Sequence, residues 1–229
     1  MENYIEKNLT LIISEIEKNS LAAKRVVNSV KLLAVSKNFP VEDIKKAYEA
    51  GQRLFGENKI QELESKAPKL PQDIQWHLIG HLQSNKVAKA VELAEYIHSV
   101  DSEKLLVRID RIAFEKNKKQ KILLEVNVSD EESKFGLNIC NIDSCTESAL
   151  KCKNIELLGF MTMAPFEAEE SELCRIFSAL KSKRDELELK YNIKLPELSM
   201  GMSGDFKQAI ACGSTLVRVG TAIFGNRNY

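Results

Sequence analysis

Lys37 closes the apolar run KLLAVS (31–36) and is the residue best suited to covalent chemistry. A strand of apolar residues ahead of a lysine encloses its stem, and partial desolvation moves the ammonium toward the neutral amine that attacks an aldehyde. The competing reading is a lysine whose stem snorkels out to solvent. A second kind of chemistry lies near the end of the chain, in GMSGD (201–205) and VGTAIFG (219–225). Small residues there leave backbone N–H groups open to a phosphate, with the Ser203 hydroxyl and the Gly220 and Thr221 amides as donors. Asp205 and Phe206 would open the following helix with its positive end toward the anion. Otherwise these glycines only shape tight turns. Arg218 shares a strand face with Gly220. A guanidinium keeps its proton, so against a pyridine nitrogen it donates a hydrogen bond and weakens the ring as an electron sink. The alternative for Arg218 is an ion pair with a carboxylate such as Asp205.

These residues need a scaffold that brings residue 37 beside residues 203–221. Eight β-rich runs recur along the chain: 31–36, 53–57, 75–80, 96–100, 121–128, 155–163, 197–201 and 215–225. Amphipathic helical patterns separate them, such as VEDIKKAYEA between Pro40 and Gly51 and DFKQAIAC before Gly213. Strands joined by helical crossovers imply a parallel sheet, and eight consecutive units predict a closed (β/α)8 barrel of the TIM type, an α/β fold. An open doubly wound sheet would want a glycine-rich turn after its first strand, and SKNFP (36–40) offers none. Ile5, Leu9, Ile12 and Ile16, then Ser20 as an N-cap before Ala22, Val26 and Val27, predict two helices within residues 1–30. Residues 1–229 are read as one domain. Barrel chemistry sits at the carboxyl ends of strands, where Ser36-Lys37, Glu57-Asn58, Gly80-His81, Asn127, Met202-Ser203 and Gly220-Thr221 gather.

The 33 basic and 33 acidic side chains cancel, so no long-range field favours nucleic acid or an anionic membrane. No apolar run reaches the length of a bilayer span, and MENYIEKNLT lacks the layout of a signal peptide, so a cytoplasmic protein is expected. Five cysteines with no C-x-x-C pair indicate neither a disulfide framework nor a zinc site. A metal site on His77 and His81 is a remote alternative. The core of a barrel is self-sufficient, so a monomer is expected. The Lys-rich EKNKKQK (115–121) reads as a solvated helix end and loop.

Taken in order, LLAVSK (32–37), FGEN (55–58), WHLIGHLQSNK (76–86), DEESKFG (130–136), GFMTMAP (159–165), LSMGMSGD (198–205) and STLVRVGTAIFG (214–225) closely resemble the pyridoxal-phosphate homeostasis proteins, also called proline synthetase co-transcribed proteins. The match runs from about residue 22 onward. It implies a barrel similar to the amino-terminal domain of alanine racemase, a fold-type III pyridoxal-phosphate protein, with pyridoxal 5'-phosphate (PLP) held as a Schiff base on Lys37. It also places Asn58 near the ring, Ser203, Gly220 and Thr221 on the phosphate, Arg218 at the pyridine nitrogen and Met161 against the ring. His81 and Lys134 receive no role. A racemase of this type needs a second acid–base residue on the far face of the cofactor, a tyrosine supplied beside an added β domain. This sequence ends at Tyr229 with no such domain, so a non-catalytic role in intracellular PLP homeostasis is expected, with PLP-dependent apo-enzymes as recipients. An amino-acid racemase or lyase is the alternative.

Overall fold

Runs of β-branched and aliphatic residues bounded by turn formers become strands, and the periodic segments between them become helices. The computed structural model describes residues 4–129, 135–165 and 167–225. Its strands are β1 (Lys31–Val35), β2 (Leu54–Glu57), β3 (Gln75–Leu78), β4 (Tyr96–Val100), β5 (Gln120–Asn127), β6 (Leu137–Asn138), β7 (Ile155–Met161), β8 (Glu197–Ser199) and β9 (Leu216–Val219). The helices are α1 (Tyr4–Ala22), α2 (Val41–Glu49), α3 (Ile60–Lys66), α4 (Val87–Leu93), α5 (Glu103–Glu115), α6 (Ile142–Lys151), α7 (Glu170–Tyr191), α8 (Phe206–Ala211) and α9 (Thr221–Phe224).

All strand pairs are parallel, and β4–β5 closes the order β4-β3-β2-β1-β9-β8-β7-β5 into an eight-stranded ring. Among the described residues, β6 pairs with β5 alone. The ring closes between the ends of the chain, with Leu33 opposite Arg218 and Ala34 opposite Val219. Apolar side chains between sheet and helices, among them Ala34, Ile44, Phe55, Leu63, Ile109 and Ile176, form the outer core and are fully buried. Burial of this kind stabilises by about 25 cal/mol per Å² of apolar surface.

Three expectations change in detail. Residues 4–30 hold one helix where two were expected. Ser20 lies inside α1 and returns its hydroxyl to the Ile16 carbonyl (2.8 Å), and the chain then turns through Lys24 and Asn28 at φ 56° and 63°. The final run stops being a strand at Val219, because Gly220 leaves the ladder and Thr221 starts α9. An apolar stretch such as TAIF is ambiguous between strand and helix on periodicity alone. EKNKKQK is only partly solvated: Lys118 donates to the carbonyls of Val91 and Ala94 (2.7 and 2.6 Å), and Gln120 is buried in β5.

α1 braces the last turn of the fold. Tyr4 and Asn8 donate to the carbonyls of Phe224 and Ile223 (3.3 and 3.0 Å), where α9 leaves C=O groups without helical partners. No described helix is long and apolar enough to cross a membrane.

Candidate functional site at the barrel mouth

The strands end where their last side chains leave the ladder, and these residues wall a cavity of about 710 Å³ at the carboxyl end of the ring. Lys37 is half-buried on this wall, two residues beyond Val35 on the same face of β1. Asn58 follows β2. Gly80 admits it, since a Cβ at position 80 would lie 2.3 Å from the Asn58 carbonyl oxygen. Across the seam, Arg218, Gly220 and Thr221 line the same space, and a Cβ at Gly220 would come within 2.9 Å of the Val35 carbonyl oxygen. Ser203 and Gly204 are exposed on the loop after β8, over the opening. Asp205 accepts the Met202 N–H, which closes that loop ahead of α8.

Arg218 is buried inside the ring. It donates to the Ser199 carbonyl and hydroxyl (2.6 and 2.8 Å) and to the Thr162 carbonyl (2.9 Å). These bonds use three of its five N–H donors. Burial lowers its pKa to about 10, opposed by Asp205 and Glu125, and it stays protonated near neutrality. It forms no ion pair with Asp205.

A polar chain continues below it, across the barrel. His98 Nδ1 lies 3.2 Å from Ser199 Oγ, and His98 Nε2 lies 2.8 Å from His77 Nδ1. Arg218 can only donate, so Ser199 Oγ accepts from it; with the Ser199 hydrogen turned to His98 Nδ1, His98 Nε2 is the donor to His77 Nδ1. His77 stacks on Tyr96 at 4.4 Å, and its Nε2 has no partner among the described residues. Desolvation holds His77 down to about 3 and His98 well below the usual imidazole value, so both are neutral at pH 7. His77 therefore faces His98. His81 stands at the mouth, 3.2 Å from Asp101 and stacked on Phe135 at 4.0 Å, so the two histidines do not form one ligand set.

Met161 is fully buried in β7 opposite Glu125 and does not reach the wall. Met163, two residues on and on the same face, lines the cavity in its place. Lys134 and Tyr229 lie outside the described residues. Sequence reasoning missed Glu125, which lines the cavity at 3% exposure with Oε2 unpartnered among the described groups. Burial raises its pKa to about 7, Asp101 adds to this and Arg218 opposes it. Its signal was a carboxylate in the middle of the apolar KILLEVNV, where a strand covered on both faces rarely carries charge.

Residues 13–228 match the family model described as alanine racemase, N-terminal domain. A protein of Aquifex aeolicus named pyridoxal phosphate homeostasis protein is 41% identical over 224 residues, 97% of this chain and 98% of that one. A solved structure of PipY from Synechococcus elongatus PCC7942, described as having PLP bound, superposes with a TM-score of 0.86 at 38% identity, covering 96% of this chain and 100% of that one. Alanine racemase of Clostridium difficile 630 superposes with a TM-score of 0.77 at 14% identity over 97% of this chain and 58% of its own, a likeness of fold. With the first and last strands flanking one cavity, and relatives matched along nearly their whole length, the chain belongs to the pyridoxal phosphate homeostasis protein family.

Proposed function

We propose that this protein binds PLP in the barrel mouth, with Lys37 as its point of covalent attachment, and holds the cofactor for the cell's PLP pool rather than turning over a substrate. The observation that carries this reading is convergence. An amine, a buried guanidinium and a set of small-residue N–H donors, from opposite ends of the sequence, line one cavity of about 710 Å³. The donor set fits the group. Lys37 can add to an aldehyde, Ser203, Gly220 and Thr221 suit a phosphate, and Arg218 keeps donors for a ring nitrogen. Asn58 borders the same space, and Met163 offers the apolar surface expected of Met161.

When bound, PLP supplies an aldehyde carbon to which an amine adds with loss of water, and a phosphate dianion. The protein's share is to hold and orient. Arg218 cannot be moved without breaking three buried hydrogen bonds, so it presents a fixed donor. A donor at that place disfavours protonation of the ring nitrogen, which favours holding over carbanion chemistry. The names of the relatives favour the same role. Residues 1–229 would then act as one cofactor-binding unit in the cytoplasm, as a monomer, with PLP-dependent apo-enzymes as recipients.

Borohydride reduction of protein incubated with PLP, followed by peptide mapping, tests the attachment. Label on the peptide containing Lys37, absent in a folded Lys37→Ala variant, is expected; label elsewhere overturns the assignment. Steady racemisation or cleavage of any L-amino acid by the loaded protein, lost in Lys37→Ala, would establish the enzymatic alternative.

A further inference from the structure

Next to Lys37, among side chains that do not line the cavity, lies a buried ionic cluster that the cofactor reading does not use. Lys66, the last residue of α3, is 7% exposed, and Glu57, the last of β2, is 0% exposed. Lys66 Nζ lies 2.8 Å from Glu57 Oε1, 2.7 Å from Glu62 Oε2 and 3.0 Å from the Ser36 carbonyl oxygen. Ser36 Oγ also donates to Glu57 Oε1 (2.7 Å), and the Asn38 N–H donates to Glu62 Oε2 (2.7 Å).

These contacts fall on particular atoms. The Ser36 carbonyl belongs to the peptide group before the Lys37 Cα, and the Asn38 N–H belongs to the peptide group after it. The two planes that meet at Lys37 are thus both held, one by Lys66 directly and one through Glu62. Asn38 itself has φ 66°, a left-handed conformation that asparagine adopts more readily than other non-glycine residues.

We propose that Lys66, with Glu57 and Glu62, is a positioning residue of this site: one buried ammonium clamps the peptide groups on both sides of Lys37 and so sets the direction in which its side chain enters the cavity. The inference rests on Lys37 as the point of attachment. Stability alone does not explain the cluster, because a buried ion pair is often replaced by neutral groups of similar volume at no loss. A tie between α3 and the sheet would not require contacts to both peptides of one residue.

The double variant Lys66→Met/Glu57→Gln removes the ammonium together with its fully buried carboxylate partner and leaves Glu62, which is partly exposed and still accepts the Asn38 N–H. Two readouts apply: amide hydrogen exchange at residues 37–39 in cofactor-free protein, and the rate at which PLP becomes trapped on Lys37 by borohydride. We expect exchange at the Asn38 amide to rise ~10-fold or more and capture to slow by about the same factor, with a cooperative unfolding transition retained. A folded double variant with wild-type exchange and wild-type capture overturns the proposal. Glu62→Ala, at a partly exposed position, covers the case in which the double variant does not fold. It removes the acceptor for the Asn38 N–H, and wild-type behaviour in it overturns the clamp equally. The exchange readout does not involve the cofactor, so label found on another lysine would remove the attachment reading while exchange still judges the clamp.

Discussion

Substituting Gln for His77 should make the protein markedly more tolerant of acid. His77 is buried at 2% exposure and held down to about 3 by desolvation, against 6.5 for a free imidazole. A histidine with its folded pKa below the unfolded value binds a proton more tightly when unfolded. Its contribution is complete above pH 6.5 and is lost as the pH falls toward 3. Between pH 7 and pH 4.5 the loss amounts to about 3 kcal/mol, taking ~1.36 kcal/mol per pH unit over the two units below 6.5. Gln can still accept the hydrogen bond from His98 Nε2 but does not titrate, so the chain up to Ser199 and Arg218 is kept. Urea unfolding of the cofactor-free protein at both pH values gives the wild-type and His77→Gln differences, and subtracting them cancels every group common to both. Equal differences would refute the idea that a neutral imidazole is enforced inside the ring.

Ser203→Ala should weaken PLP retention by about 1.5–3 kcal/mol, roughly 10- to 150-fold in Kd, as one charge-assisted donor is lost; equilibrium dialysis reads this directly, and unchanged affinity would leave the phosphate to backbone amides. Glu125→Gln should stabilise the cofactor-free protein at pH 8 by about 3 kcal/mol. Its pKa is raised from 4.5 to about 7, so stability present at low pH is lost on ionisation, and the variant should lose the decline between pH 4.5 and 7 in denaturant titrations. Asn8→Ala should cost about 1 kcal/mol of stability and loosen PLP binding, because the Ile223 carbonyl at the end of α9 loses its donor. A variant that loses stability but binds PLP as tightly as the wild type would separate α1 from the site.

The ring was readable because its strands are short apolar runs with helix-start and helix-stop residues between them, and such patterns carry their own period. Residues that border the cavity were readable too, since Lys37, Asn58 and Arg218 sit where a strand meets the mouth. Other features depended on register, which local patterns do not carry. Met161 and Met163 share a face, and only the height at which β7 leaves the ladder decides which one meets the cavity. The contact of His98 on β4 with Ser199 on β8 exists because the sheet closes on itself. The helix at Thr221 was hidden because TAIF is apolar in either conformation. The clamp on Lys37 was hidden because Lys66 and Glu62 look like an ordinary charged helix face until α3 is laid against β1 and β2.

The ring's closing seam, where β1 meets β9, has a thermodynamic consequence. A molecule that grips Lys37 on one flank and Thr221 on the other is a buckle across the last joint of the cylinder. Release of that joint and departure of the molecule are then linked events. At a ligand concentration 1,000 times Kd, occupancy adds about 4.1 kcal/mol against any opening that divides the two flanks.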